Sequence, residues 1–275
     1  MKIPKILHLI WTQDAHLSLL QAITAISFRK LNPYWRIIVH VTKQRDEELA
    51  SNTYVPLYTG KDYFFMVTQI PQIEIVEEDL NDYGISLDKP VIVSSDELRL
   101  RILKQYGGVY SDFDVVWLRP MSEFHLVDHI GNMNDFQFMF CMYQFTHGHH
   151  NISVLMSEPS SKIVDDIIQE QEKIQPPYPH QAFGTDLYNR MFGTYSQTLV
   201  LYEKTLHVGY NTFFPYSIFN MDELWSYNIM SNIKSKDVMG IHWFNGHPLS
   251  KEYVNNNLYG KPCTMTSVLK REGYI

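Results

Sequence analysis

Asp112-Phe113-Asp114 is the segment of this 275-residue chain best suited to chemistry. Side chains alternate along an extended backbone, so the two carboxylates project to one side and Phe113 to the other. Two carboxylates on one face repel each other unless a cation or a hydrogen-bond donor compensates. Hard divalent ions such as Mg²⁺ or Mn²⁺ take oxygen ligands and can bridge to phosphate oxygens. A diphosphate leaving group needs that help, because negative charge builds on it as its bond breaks. Taken alone, a D-x-D triplet is weak evidence and is most often a solvated turn. Here it sits between apolar half-strands, directly after Gly107-Gly108. A carboxylate pair in such surroundings is costly without a partner.

The elements that must position the triplet follow from periodicity. Residues 3–11 read as a buried strand. Residues 17–31 read as a helix with Leu20, Ile23, Ala25, Ile26 and Leu31 at helical spacing, stopped by Asn32-Pro33. A β-branched strand at 35–41, a polar helix at 43–51 and a short strand at 73–76 come next. Ser94-Ser95-Asp96 reads as a capped helix start, with Leu98, Leu100, Ile102 and Leu103 as its apolar surface and Gly107-Gly108 as its end. A strand at 109–111 leads into the triplet, and 115–118 continues extended. Later strands are expected at 136–143, 152–156 and 238–243, and helices at 160–173 and 181–192. The alternation points to an α/β fold with a largely parallel sheet flanked by helices. Ligands of such sheets gather at strand carboxyl ends, where the triplet falls.

The bulk properties narrow the class. At 45% hydrophobic and 14% aromatic residues the chain can bury one sizeable core, and without a linker-like, repetitive or low-complexity stretch it reads as one domain, 1–275. A net charge of −7 argues against nucleic acid or an anionic membrane as the main partner. Cys141 and Cys263 lie far apart, which excludes a disulfide framework and speaks against structural zinc. The first residues are too short and interrupted for a signal peptide, and no stretch reaches the ~20 apolar residues of a membrane span. The expectation is a cytoplasmic protein.

The run Ser95-Asp96-Glu97-Leu98-Arg99, Ile102-Leu103, Tyr106-Gly107-Gly108-Val109-Tyr110-Ser111-Asp112-Phe113-Asp114 resembles the DXD sugar-binding glycosyltransferases. That group includes fungal initiating mannosyltransferases and the glucosylating domains of clostridial toxins. The opening Ile3–Trp11 resembles the family's first strand, and Asn32-Pro33 with Trp35 the start of its second. The resemblance covers about the first 120 residues, the nucleotide-sugar half, and is loose over 121–275, the acceptor side. It implies a GT-A fold, a nucleotide-sugar donor (UDP- or GDP-linked), Mn²⁺ or Mg²⁺, and transfer with retention to a hydroxyl of a glycan, protein, lipid or small metabolite. By position, Trp11 with Ile10 beside it would stack on the base. Asp96, with Ser95, would bond ribose and sugar hydroxyls, Arg99 would orient the sugar, and Tyr110 would line the diphosphate pocket. Asp112 would contact ribose or sugar and reach the metal through water; Asp114 would ligate it directly. Without the resemblance, Trp11 reads as a core ring, Asp96 as a helix cap, and Arg99 as a surface partner of Asp96 or Glu97.

The second half offers three more candidates. The segment 241–248 is similar to a carboxy-terminal loop that supplies a further metal ligand in several metal-dependent transferases, which points to His242, with Asn245 and His247 behind it; the alternative is a core histidine. Asn151 resembles a donor-sugar contact. Asp186 in Gly184-Thr185-Asp186 resembles an acceptor-side acid, with helix capping as the alternative. His147, His149 and His150 read as an exposed loop near the acceptor rather than a metal site. Two rival functions stay open: a metal-dependent nucleotide phosphohydrolase, and an inactive module that binds a sugar nucleotide or glycan.

Overall fold

The computed structural model describes residues 3–13, 15–43, 58–124, 138–143, 149–179, 181–194, 205–208, 212–214, 218–226 and 229–275. In chain order the strands and α-helices are β1 (Ile6–Thr12), α1 (Leu19–Leu31), β2 (Arg36–Thr42), α2 (Phe64–Thr68), β3 (Ile73–Glu78), α3 (Val91–Tyr106), β4 (Gly108–Ser111) and β5 (Val115–Trp117). They continue as β6 (Phe138–Tyr143), β7 (His149–Ser157), α4 (Lys162–Glu172), α5 (Thr185–Phe192), β8 (Thr205–Val208), α6 (Met230–Ile233), β9 (Gly240–His242), α7 (Pro248–Asn255) and α8 (Thr264–Arg271).

The main sheet runs β3-β2-β1-β4-β7-β6-β8. Only β7 opposes the other six strands, so the sheet is mixed but largely parallel, as expected of a GT-A fold. β2 is buried along all but its first residue, the pattern of a strand covered on both faces. α1 begins where the Ser18 hydroxyl accepts the Gln21 N–H while the Gln21 side chain returns to the Ser18 N–H, a reciprocal cap. One apolar cluster draws on residues from Ile3 to Leu269, joining α1, β1, β2, β5, β9, α7 and α8.

Two elements differ from expectation in ways that matter for the site. α3 begins at Val91, with Pro90 at its cap, so Ser94, Ser95 and Asp96 lie inside the helix. Proline cannot donate a backbone N–H and its fixed φ suits a helix start, so it outranks the cap-like Ser-Ser-Asp composition. The chain through the acidic triplet is not continuously extended either. β4 ends at Ser111, residues 113–114 turn, and β5 leaves the main sheet to pair with β9 in a separate two-stranded ribbon.

Smaller differences complete the comparison. The polar helix expected at 43–51 lies almost entirely outside the described residues, as do 136–137 of the strand expected at 136–143. His149 and His150 belong to β7, and His150 is fully buried, so this part of the histidine cluster is not an exposed loop; His147 lies outside the described residues. Among the described residues no helix is long and apolar enough to cross a membrane.

Candidate active site

The acidic turn is held by backbone bonds from three directions. The Asp112 N–H donates to the Ser153 carbonyl on β7 (2.8 Å), and the Thr24 hydroxyl of α1 donates to the Phe113 carbonyl (2.8 Å). The Trp243 N–H donates to the Asp114 carbonyl (2.9 Å). Phe113 is buried and meets the edge of Trp11 at 5.2 Å. Every polar backbone group so paired is one fewer reason for the turn to open.

His242 reaches this turn through β9. Val115 and His242 are register partners, and the imidazole Nε2 lies 3.0 Å from Asp114 Oδ1. The Asn245 N–H donates to Asp114 Oδ2 (2.9 Å). Phe244 and Phe214 pack against the His242 ring at 4.0 and 5.5 Å. Burial acts to raise the Asp114 carboxyl, but His242 and the Asn245 N–H outweigh it and leave it below the usual range. One ligand atom each from Asp112, Asp114 and His242 fall within 4.8 Å of one another. Two carboxylate oxygens and one imidazole nitrogen make a donor set that suits Mn²⁺ or Mg²⁺.

Asp112 answers to a different neighbourhood. Tyr110 Oη donates to its Oδ1 at 2.5 Å, and Arg99 Nη1 lies 3.5 Å from the same oxygen. Arg99 also pairs with Asp96 at 2.7 Å, one helical turn away, and donates to the Ile152 carbonyl (3.0 Å). Its guanidinium sits 4.5 Å over the Tyr110 ring. Burial pushes the Asp112 carboxyl up despite Arg99 beside it, and pushes Asp96 up to about 7. Burial alone would lower the Arg99 guanidinium; Tyr110, Asp96 and Asp112 together hold it firmly protonated. Arg99 is therefore a buried cation and not a surface partner, and Asp96 does not cap a helix.

Ile10, Trp11 and Ser95 share a second feature. With Thr12, Thr42 and Ser94 they line a cavity of about 150 Å³ at the carboxyl end of β1 and β2. Trp11 donates from Nε1 to the Ala15 carbonyl (2.9 Å), which fixes the plane of its ring.

Asn151 and Asp186 stand differently. Asn151 is buried on β7, and its Oδ1 accepts the N–H and hydroxyl of Ser153, the residue whose carbonyl holds Asp112. Asp186 is exposed in the first turn of α5 and makes no side-chain hydrogen bond or ion pair with the cluster among the described residues. Asn245 contributes its backbone N–H, and His247 sits at the cap of α7.

Sequence reasoning missed the supporting groups: Thr24, the Ile152 and Ser153 carbonyls, and the ring of Phe214. Main-chain carbonyls leave no trace in residue identity, and Thr24 reads as one more position of an amphipathic helix.

Residues 21–137 match the glycosyltransferase sugar-binding region containing the DXD motif. That segment holds most of α1, together with β2, α3, β4 and the acidic turn. Among solved structures it is similar to the PaToxG glycosyltransferase, at 15% identity over 68% of each chain with a TM-score of 0.48. It is also similar to the galactosyltransferase LgtC in complex with donor and acceptor sugar analogues, at 14% identity over 86% of each chain with a TM-score of 0.44. Mouse xyloside xylosyltransferase 1 shares 11% identity over 86% of this chain and 96% of its own, with a TM-score of 0.48. No curated protein sequence matches significantly. The likeness to this family rests on the sequence match and not on these structures.

Proposed function

We propose that this chain is a metal-dependent glycosyltransferase that moves a sugar from a nucleoside-diphosphate donor to a hydroxyl acceptor. The observation that carries the reading is the convergence of Asp112, Asp114 and His242. Residues up to 130 positions apart in sequence offer ligand atoms within 4.8 Å, and the two carboxylates lie inside the segment that matches the sugar-binding region. Mn²⁺ or Mg²⁺ held there would supply positive charge to the diphosphate as negative charge grows on it.

The chain's own residues divide the remaining work. Trp11 and Ile10 form the wall of the cavity at β1 against which a nucleobase would stack, UDP- and GDP-linked donors both being compatible. Ser95 and Asp96 would bond ribose and sugar hydroxyls. Arg99, already aimed at Asp112, would orient the sugar, and Tyr110 would keep the Asp112 carboxyl turned toward the diphosphate. Asn151 would contact the donor sugar beside Asp112. We read the transfer as retaining, from the resemblance. Asp186, exposed at the start of α5, is the acid that could serve on the acceptor side, where a general base would instead give inversion.

The test is thermal stabilisation by a panel of nucleotide-sugars with and without Mn²⁺, followed by product analysis. One donor that gives a metal-dependent shift, together with a glycoside whose anomer is read by NMR, is the expected result. Nucleotide turnover undiminished without any acceptor would point to a phosphohydrolase. A shift with no turnover under any acceptor would point to a binding module.

A further inference from the structure

A buried file of side chains lies apart from the acidic turn, and the proposed transfer does not use it. It crosses the sheet from β3 to the start of β4. Tyr83 Oη donates to Glu78 Oε2 (2.9 Å), and Glu78 Oε1 faces His40 Nδ1 at 2.6 Å. His40 Nε2 faces His8 Nδ1 at 2.9 Å, and His8 Nε2 reaches the Gly107 carbonyl at 2.9 Å. His8 and His40 are shut off from solvent, and the Glu78 side chain is 10% exposed.

Gly107 and Gly108 form the joint between α3, which carries Asp96 and Arg99, and β4, which leads to Asp112. Both glycines have positive φ (62° and 99°), and a Cβ on Gly108 would come within 2.7 Å of the Ile6 carbonyl oxygen. No other residue fits there without strain. The joint lies in the chain between Arg99 and Asp112, which meet at 3.5 Å.

The proton count along the file is forced by its ends. A carbonyl only accepts, so His8 carries its proton on Nε2 and offers a lone pair at Nδ1. His40 must then donate from Nε2. Tyr83 donates at the far end, which leaves one proton for the contact between His40 Nδ1 and Glu78 Oε1. We propose that the file is a one-proton latch on the α3–β4 joint, in which His8 is a positioning residue that holds Gly107 only while His40 and Glu78 share that proton. Removing the proton sets two lone pairs against each other at 2.6 Å. Adding another puts a His8 N–H against the His40 N–H.

The surroundings keep His8 neutral. Burial, His40 and Arg36 bring its imidazole down to about 3, against the pull of the Gly107 carbonyl. Arg36 on β2 is itself paired with Glu74 of β3 (2.8 Å), and Tyr106 at the end of α3 stacks on His8 at 6.0 Å. Tyr83, with Asp82 beside it, faces Glu78 from the turn that follows β3.

Glu78→Gln separates this latch from ordinary packing. Its amide N–H reaches His40 Nδ1 while its oxygen still accepts from Tyr83, so the file closes with every member neutral. The inference stands on geometry and needs neither donor nor acceptor, so its failure would leave the transferase reading untouched. Melting the wild-type chain and Glu78→Gln from neutral to alkaline pH should show the wild type losing at least about 3 °C relative to the variant. Imidazole ¹⁵N NMR of the wild type at neutral pH should show His8 as the Nε2–H tautomer. A Glu78→Gln curve that tracks the wild type through the alkaline limb would overturn the latch. So would a His8 found charged or protonated on Nδ1, and this reading decides alone should Glu78→Gln not fold.

Discussion

Asp112 and Asp114 are two residues apart in sequence but belong to different parts of the molecule. Asp112 closes the main sheet, where Tyr110, Arg99 and the β7 backbone surround it, and burial raises its carboxyl. Asp114 opens the β5–β9 ribbon, where His242 and the Asn245 N–H lower its carboxyl instead. Exposure does not make the difference, since Asp112 is the more exposed side chain, 31% against 15%; the partners do. The lesson is that a D-x-D triplet is not a symmetric pair. One carboxylate is held at the end of β4 in the main sheet and the other is tuned by an arm from the far end of the chain. The turn between them is where the main sheet gives way to the ribbon.

The comparison can be broken hardest at Asp114. Asp114→Asn should reduce metal-dependent donor binding and turnover by at least about 100-fold, the scale of losing one preorganised electrostatic partner of a transition state. Arg99→Met should act next, through stability: it leaves Asp96 and Asp112 buried without their cation, and chemical denaturation should show a loss of about 3–5 kcal/mol. The two Asp-to-Asn variants sharpen the contrast in the metal-free protein. Asp114→Asn should cost about 1–3 kcal/mol because His242 and Asn245 lose a charged acceptor. Asp112→Asn should leave the melting temperature unchanged or higher, since burial already disfavours that charge.

A further effect is in pH. Asp96 ionises near 3.8 when unfolded and at about 7 in the folded chain, so between those values the unfolded state binds fewer protons. Its contribution is full below the lower value and is lost as pH rises through the upper one. The difference in stability between wild type and Asp96→Asn should therefore fall across that window and level off above it.

The sequence carried the Asp112 side of this contrast well and the Asp114 side poorly. Gly107-Gly108, the apolar run of α3 and the triplet lie within two dozen residues, so local punctuation and periodicity expose them. The residues that locate α3's start were misread because Ser-Ser-Asp has cap composition while Pro90 sets the boundary. β5 and β9 have three residues each and pair across more than a hundred positions, too short and too distant for any periodic signal. His242 was legible as a further metal ligand by resemblance, but the β5–β9 pairing that brings it to Asp114 was not. The turn at 113–114 also replaced the extended geometry first expected. It still brings the two carboxylates together, through hydrogen bonds of its backbone with the Thr24 hydroxyl, the Ser153 carbonyl and the Trp243 N–H rather than by strand alternation.

The central claim is that Asp112, Asp114 and His242 form one cation site. Its most direct test is a Mn²⁺ titration followed by electron paramagnetic resonance, with a nucleoside diphosphate present, on the wild type, Asp114→Asn and His242→Gln. The account predicts a single bound ion in the wild type and an affinity at least about tenfold weaker in both variants, the size expected for loss of a ligand or its immediate support. Equal Mn²⁺ affinity in all three folded proteins would contradict it.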